Sequence, residues 1–183
     1  MEENKVKIVA VAGELTGWKT TVILHDLLEE IKKLGTHVQT ELIEMKEYEV
    51  EFARGLPLGD YNNDTWEVVS KISAADIVVF GTPIYQASMT GALKNLLDLF
   101  PTDAFKRKVT GIITTGAIEK HFLVSEYQIK PVLSYLKGLV PTQNVFVHND
   151  SFNEINDLID DSVIPRLSKM AEEMLQLQKV YQK

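Results

Sequence analysis

Residues 11–24, VAGELTGWKTTVIL, contain the residue types that phosphate-binding loops use. Glycines allow a tight turn, threonine hydroxyls and free amides donate hydrogen bonds, and a lysine adds positive charge where a helix starts. A nucleotide-binding P-loop needs Gly-Lys-Thr at a fixed distance after its first glycine, and Gly13 is not followed by that triplet at the required spacing. The residues therefore favour another kind of phosphate loop or a plain turn.

A second candidate loop follows the apolar run at residues 77–80. Its sequence, GTPIYQASMTGALKN, begins with a proline-set turn and an aromatic ring, a combination that can form a rigid wall for a planar ligand. Ser88 and Thr90 then offer hydroxyls at a helix start, where backbone amides lack intrahelical partners. An ordinary strand-to-helix turn capped by Ser88 or Thr90 explains the hydroxyls, but it explains the whole pattern less well. A third polar loop, TTGAIEKH, follows the next apolar run.

Five strand-like apolar runs alternate with helical patterns along the chain. This alternation predicts an α/β fold with a parallel sheet and helices on both faces. In such sheets ligands bind beyond the carboxyl ends of the strands, so the three loops should meet. We expect a first helix over residues 19–34 that Gly35 closes, and a second helix capped by Asn63 or Asp64. Further helices are expected over 91–100, over 122–137 with a kink before Pro131, and from about Asp160. The strands are expected at residues 6–11, 38–43, 77–80, 109–114 and 145–147.

Composition narrows the function further. With 183 residues we expect a single domain, 1–183, and a formal charge of −7 without a basic run argues against nucleic acid as a partner. No cysteine is present and the four histidines show no paired ligand spacing, so we expect no metal site. The first apolar run is too short for a membrane span or a signal sequence, which predicts a cytoplasmic protein without membrane contact.

Two stretches, GTPIYQASMTGALKNLLDLFP and TTGAIEKHFLVSEYQIKPVLSYL, resemble the NADPH-dependent FMN reductases of flavodoxin-like fold. The resemblance is greatest to the flavin reductases that serve alkanesulfonate monooxygenases. It covers about residues 75–152, whereas the first 70 residues match mainly in pattern. It implies a five-stranded sheet in the order 2-1-3-4-5, FMN with NADPH or NADH as cofactors, and hydride transfer from a nicotinamide to flavin N5.

The resemblance also implies which residues contact the flavin. The loop after the third strand would lie against the flavin ring, the loop after the fourth against its pyrimidine edge, and the first loop would hold the phosphate. The expected cofactor-binding residues are Thr16, Lys19, Thr20, Thr21, Pro83, Ile84, Tyr85, Gln86, Thr115, Gly116 and Ala117. No residue is assigned a catalytic role, because hydride transfer depends on aligned rings more than on a general acid. Lys120 and His121 are therefore treated as structural or peripheral.

Three positions depart from the family pattern. Glu14 and Thr16 replace a serine and an arginine of the family's phosphate loop, and Ala117 replaces a glycine. The repulsion between the Glu14 carboxylate and a nearby phosphate is expected to cost on the order of 1 kcal/mol or more of binding free energy. We therefore expect weak, exchangeable FMN that Glu14→Ser tightens, with Thr20 and Thr21 as the main phosphate ligands.

Tyr127 matches a tyrosine that lies, in the two-component reductases, in a π-helical insertion at the tetramer interface. The resemblance therefore implies a homodimer or homotetramer with Tyr127 near the interface. A half-exposed helix tyrosine that packs on a neighbour is the simpler alternative.

Three functions remain in competition. The first is an NAD(P)H-dependent FMN reductase that passes reduced flavin or electrons to a flavin-dependent monooxygenase, a quinone or an azo dye. The second is a flavodoxin-like electron carrier that holds FMN without oxidising nicotinamide nucleotides. The third is a flavin-free interaction module in which Glu14 has abolished phosphate binding.

Overall fold

Five parallel strands form the centre of the fold. A computed structural model describes residues 5–35 and 37–181. The strands are hydrogen-bonded in the order β2-β1-β3-β4-β5, which confirms the predicted flavodoxin-like order. Their bounds are Val6–Ala12 (β1), Val38–Glu44 (β2), Ile77–Pro83 (β3), Val109–Gly116 (β4) and Val145–His148 (β5).

Helices cover both faces of this sheet. Side chains of α1 (Lys19–Leu34) and α6 (Val163–Tyr181) pack on one face, where they share a core with Ile77 and Val79. The other face is covered by α2 (Asn63–Ser73), α3 (Gly91–Asp98) and the segment built from α4 (Phe122–Val124), a π-helix (Ser125–Ile129) and α5 (Lys130–Tyr135). Successive residues of β3 therefore enter opposite cores, which is why its first four residues, Ile77 to Phe80, are all apolar.

Several predicted helix boundaries are corrected by local hydrogen bonds. The Asn62 side chain accepts the Thr65 amide and caps α2, one residue before the expected Asn63 or Asp64. Gly35 has a φ of −168°, which is extended backbone and not a left-handed cap. The last helix starts at Val163 because the Asp160 side chain accepts the Ser162 amide at 2.9 Å and holds the preceding turn. The third helix ends at Asp98, two residues before the predicted end.

The irregularity expected before Pro131 is confirmed as a π-helix over Ser125–Ile129. Pro131 is the second residue of α5, directly after the π-helix, and the change in hydrogen-bond pattern there accommodates its missing amide donor. The widened turn ahead of it changes the direction in which the side chains of the segment project.

Thr90 joins the ends of β1, β3 and α3 at the point where the strand order reverses. Its side chain accepts the Leu93 amide at 3.1 Å, which confirms it as the cap of α3, and its hydroxyl donates to the Gly13 carbonyl at 2.5 Å. Its own amide donates to the Thr82 hydroxyl at 3.1 Å. The Gly13 amide in turn donates to the Gly81 carbonyl at 2.8 Å, so the first and second candidate loops leave the sheet from a fixed base.

Replacement of Thr90 by valine is expected to destabilise the fold by about 2 kcal/mol, because it removes a helix cap and leaves a buried carbonyl without its donor. The shape of the side chain is kept, so packing changes little. Urea unfolding followed by circular dichroism measures the difference. Thr102→Val, at an exposed threonine, is the matched control and should stay within about 0.5 kcal/mol of the wild type. Equal stability of the two variants would contradict the role given to Thr90.

Candidate functional site

The three candidate loops meet at the carboxyl edge of the sheet around a polar cavity of about 240 Å³. Five of the predicted cofactor residues line it: Thr16, Lys19, Pro83, Tyr85 and Thr115. The other lining residues are Glu14, Gly17, Trp18, Asn149 and Asn156. Asn149 and Asn156 follow β5 and were missed, although the rule that ligands bind beyond strand ends also applies to that loop.

The remaining predicted residues lie around this cavity or beneath it. The Ile84 amide donates to the Thr115 carbonyl at 2.8 Å, which joins the second and third loops. Gln86 is exposed at the tip of its turn. Gly116 is buried, and a Cβ atom there would lie 2.8 Å from His121 Nδ1, so glycine allows this close approach. The Ala117 carbonyl lies 2.9 Å from His148 Nε2.

The loop after β3 forms a tight turn that presents Tyr85. The Tyr85 and Ser88 backbones exchange two hydrogen bonds of 3.0 Å, and the two residues between them, Gln86 and Ala87, have φ angles of 49° and 59°. Hairpin turns of this kind favour glycine or asparagine at such positions. Each side chain held in the left-handed region costs about 1 kcal/mol, so contacts outside the turn must maintain it.

Gln128 of the π-helix supplies such contacts. The Ser88 hydroxyl donates to Gln128 Oε1 at 2.5 Å, and Gln128 Nε2 donates to the Ala87 carbonyl at 2.7 Å. One amide side chain thus holds two groups of the strained turn at once. Gln128 was not predicted from the sequence, because the direction of its side chain depends on the π-helical geometry and not on spacing alone.

Glu126 anchors the same segment on its other side. Its carboxylate accepts Asn144 Nδ2 at 2.7 Å and Lys130 Nζ at 3.1 Å. Burial raises the pKa of Glu126, but these two hydrogen bonds outweigh it and the pKa is lowered overall. The carboxylate is therefore ionised at neutral pH, and the π-helix is fixed between the chain before β5 and the Tyr85 turn.

Glu14 occupies the N-terminus of α1. Its side chain is only 3% exposed, and Oε1 accepts both the amide and the hydroxyl of Thr21 at 3.0 Å. Thr21 is the third residue of α1, and Trp18 before the helix makes no side-chain cap, so the Glu14 carboxylate serves as the cap. A negative charge is also favourable there because the helix dipole is positive at this end.

Lys19, Thr20 and Thr21, which were predicted as phosphate ligands, also have partners within the protein. The buried Thr20 hydroxyl lies 3.2 Å from the Thr115 hydroxyl, and the Thr21 hydroxyl lies 3.1 Å from Glu44. Lys19 Nζ donates to the Asn149 carbonyl at 3.2 Å and lies 5.2 Å from the centre of the Phe152 ring. The structure brings these residues to one region, where each of their polar groups has a partner elsewhere in the protein.

Tyr85 borders a second cavity as well. This cavity has a volume of about 520 Å³ and a largely apolar lining, with Leu15, Met45, Val50 and Phe52 among its residues. The Tyr85 ring is 49% exposed, which is high for an aromatic side chain held by a tight turn. It therefore offers an accessible aromatic face between a polar cavity and an apolar one.

Residues 5–35 and 37–181 contain no group of three or more histidine, cysteine, aspartate or glutamate side chains placed to hold a metal ion. Among the helices of the described chain, none combines the length and the apolar character that a membrane crossing requires.

Replacement of Gln128 by leucine is expected to loosen the Tyr85 turn, because both contacts that offset its strain are lost. Amide hydrogen exchange at Tyr85 and Ser88 should become about tenfold faster or more, which corresponds to the loss of a hydrogen bond or two. Gln143→Leu, at an exposed glutamine, is the matched control. Unchanged exchange in the Gln128 variant would show that the turn is maintained without this side chain.

Comparison of the sequence with known proteins points to one family. The family model described as NADPH-dependent FMN reductase matches residues 6–152. A protein of Geobacillus thermodenitrificans named NAD(P)H-dependent FAD/FMN reductase is 40% identical over 172 residues, which are 94% of this chain and 93% of that protein. The NADH-dependent FMN reductase SfnE of Pseudomonas putida is 33% identical over 146 residues, covering 77% and 76% of the two chains.

Solved structures give the same fold. The apo form of the NADH:FMN oxidoreductase EmoB superposes with a TM-score of 0.77 at 26% identity, covering 96% of this chain and 90% of that one. An oxidoreductase from Corynebacterium diphtheriae has a TM-score of 0.80 at 24% identity, with 97% and 99% covered, and supports the fold alone. Because the family model and the Geobacillus relative both extend over most of the sequence, this chain belongs to the NADPH-dependent FMN reductase family.

Proposed function

We propose that this protein is an NAD(P)H-dependent FMN reductase and that the three loops at the carboxyl edge of the sheet hold the flavin. The observation that carries the proposal is the Tyr85 turn, strained and held by Gln128, beside the loop that begins at Thr115. Strained backbone of this kind is concentrated at ligand sites. Membership of the NADPH-dependent FMN reductase family indicates flavin reduction as the reaction at such a site.

The residues fit one end of a flavin better than the other. Pro83, Tyr85 and Thr115 line the cavity with an accessible ring and a polar edge, which suits an isoalloxazine. Glu14 lines the same cavity at the start of α1, where its carboxylate occupies donors that a phosphate would need. Pro83, Tyr85 and Thr115 therefore support a site for the ring system, whereas Glu14 does not suit the phosphate.

In the proposed reaction, bound FMN supplies the hydride acceptor, N5, for a reduced nicotinamide. The protein's part is to position the ring: Pro83, Ile84 and Tyr85 would hold it from one side, and the loop Thr115–Ala117 from the other. Gln128 fixes the turn that carries Tyr85. Since a small displacement of reacting rings slows transfer strongly, this positioning is the main contribution that the chain makes.

Purified protein mixed with FMN and NADPH or NADH should oxidise the nicotinamide, as followed at 340 nm, and the rate should depend on added flavin. Tyr85→Ala should lower kcat/KM for FMN up to about tenfold, because loss of one aromatic contact removes about 1 kcal/mol. Trp66→Ala removes an exposed aromatic side chain of α2 that lines neither cavity, and it should leave the rate unchanged.

The alternatives give different results in the same experiment. Absence of flavin-dependent oxidation above background would contradict the reductase. FMN that survives dialysis and forms a stable semiquinone without oxidising NADPH would support an electron carrier. A protein that shows no thermal shift with any flavin would support the interaction module.

We also propose that the protein is a homodimer or homotetramer with Tyr127 at the interface. Tyr127 is 76% exposed, and three other large side chains of the same helical segment are exposed as well: Phe122, Leu123 and Tyr135. A depression of about 490 Å³ lies between α3 and α5, lined by apolar residues that include Leu97, Val132 and Tyr135. A second copy of the chain is the occupant that the family likeness supports.

Tyr127→Glu is expected to shift the protein towards a smaller assembly, because it places a charge on a face that association would bury. Size-exclusion chromatography with light scattering measures the mass. Tyr181→Glu, on the far helix α6, is the control for the added charge and should keep the wild-type mass. An identical mass for all three proteins would place the interface elsewhere or show a monomer.

The final electron acceptor is proposed from the relatives. SfnE is named a NADH-dependent FMN reductase, and the sequence resembles the reductases of alkanesulfonate monooxygenase systems. We propose that reduced flavin passes to a flavin-dependent monooxygenase, with a quinone or an azo dye as the alternative acceptor. We place this reaction in the cytoplasm, where reduced nicotinamide nucleotides are available.

A further inference from the structure

We infer that this protein recognises the flavin by its ring system and not by its 5′-phosphate, so that riboflavin binds about as well as FMN, and that Glu14 determines this specificity. The inference rests on the proposed function, since it names the class of flavin that the same site accepts. It is drawn from the contacts at the start of α1, which differ from what a phosphate requires.

A phosphate at a helix N-terminus is held by free backbone amides and hydroxyl donors. Here the Thr21 amide and the Thr21 hydroxyl both lie 3.0 Å from Glu14 Oε1. The carboxylate is almost fully buried against them. The protein thus supplies its own anion at the place where the flavin phosphate would otherwise find its donors.

The hydroxyls of Thr20 and Thr21 are also engaged. The Thr20 hydroxyl lies 3.2 Å from that of Thr115 in a fully buried position. The Thr21 hydroxyl carries one proton, and Glu14 and Glu44 both lie within hydrogen-bond distance of it. If Glu14 were removed, Glu44 would remain as an acceptor for that proton, so the hydroxyl would stay engaged and the Thr21 amide would be the donor released to a phosphate.

The local charges also oppose a phosphate. Lys46 Nζ lies 2.7 Å from Glu44 and 3.0 Å from the centre of the Trp18 ring, so its charge already has two partners. Lys19 donates to the Asn149 carbonyl and lies over Phe152. The carboxylates of Glu14 and Glu44 and the ammonium groups of Lys19 and Lys46 therefore balance in charge before any ligand binds. A phosphate would add nearly two negative charges without compensation.

Direct binding tests this inference independently of turnover. The wild type is titrated into FMN and into riboflavin, and the quenching of flavin fluorescence gives the two Kd values. We expect them to agree within about threefold. In Glu14→Ser the freed donors and the removed charge should tighten FMN about tenfold or more and leave riboflavin within about twofold. Glu47→Ser removes an exposed charge from the turn after β2 and is the matched control.

Glu14→Gln provides a second variant that keeps the shape and the acceptor oxygen but not the charge. It should tighten FMN less than serine does, again without an effect on riboflavin. Since glutamine can still cap α1, this variant carries the test if Glu14→Ser proves too unstable to titrate. Thermal unfolding by circular dichroism establishes which variants are folded.

Two results would overturn the inference while leaving the reductase intact. One is a wild type that binds FMN more than about tenfold tighter than riboflavin; the other is a pair of Glu14 variants with an unchanged ratio of the two Kd values. If no folded variant binds either flavin, the proposed function fails together with the inference. The binding ratio and the NADPH assay therefore separate the two failures.

Discussion

Burial of β3 and β4 on both faces is the constraint on which the rest of this structure depends. Their side chains enter two separate cores, one beneath α1 and α6 and one beneath α2, α3 and α5. A strand covered on both sides exposes no side chain to a ligand along its length, and even the Thr110 and Thr114 hydroxyls of β4 are fully buried. Ligand contacts are therefore restricted to the chain that leaves the carboxyl ends, where Gly13, Pro83 and Gly116 mark the exits.

This constraint explains why the site is assembled by contacts between loops. Thr90 ties the exit of β1 to the start of α3, and the Ile84 amide ties the exit of β3 to that of β4. The most strained part, the turn at Gln86 and Ala87, is held by a side chain from a π-helix more than forty residues away in sequence. An irregular helix thus stabilises an irregular turn, and the exposed Tyr127 next to Gln128 places the proposed interface beside the same turn.

Much of the fold followed from the sequence, whereas the internal partners at the site did not. Apolar runs predicted all five strands, because a buried parallel sheet needs no alternation of polar residues. The loops that meet at the sheet edge were predicted from the order of elements, and Pro131 with the family resemblance predicted the π-helix. Gln128 was missed because its direction depends on π-helical geometry. Asn149 and Asn156 were not predicted because the expected site comprised only the loops after the first, third and fourth strands, whereas these two residues follow β5.

Glu14 shows how one side chain can occupy the hydrogen-bond donors that a loop would otherwise offer to a ligand. From the sequence, the Glu14 carboxylate is expected to lie beside the flavin phosphate and to repel it. In the structure it caps α1, so its charge also stabilises the fold that holds the flavin ring. A helix N-terminus has a limited number of free amides, and a carboxylate attached to the chain competes for them at a very high effective concentration. A flavin that is reduced and then passed on must leave the site, and a phosphate anchored by those amides would slow its departure. A permanent internal anion is thus compatible with a flavin that serves as an exchanging substrate, whereas a resident electron carrier would need the amides for its cofactor.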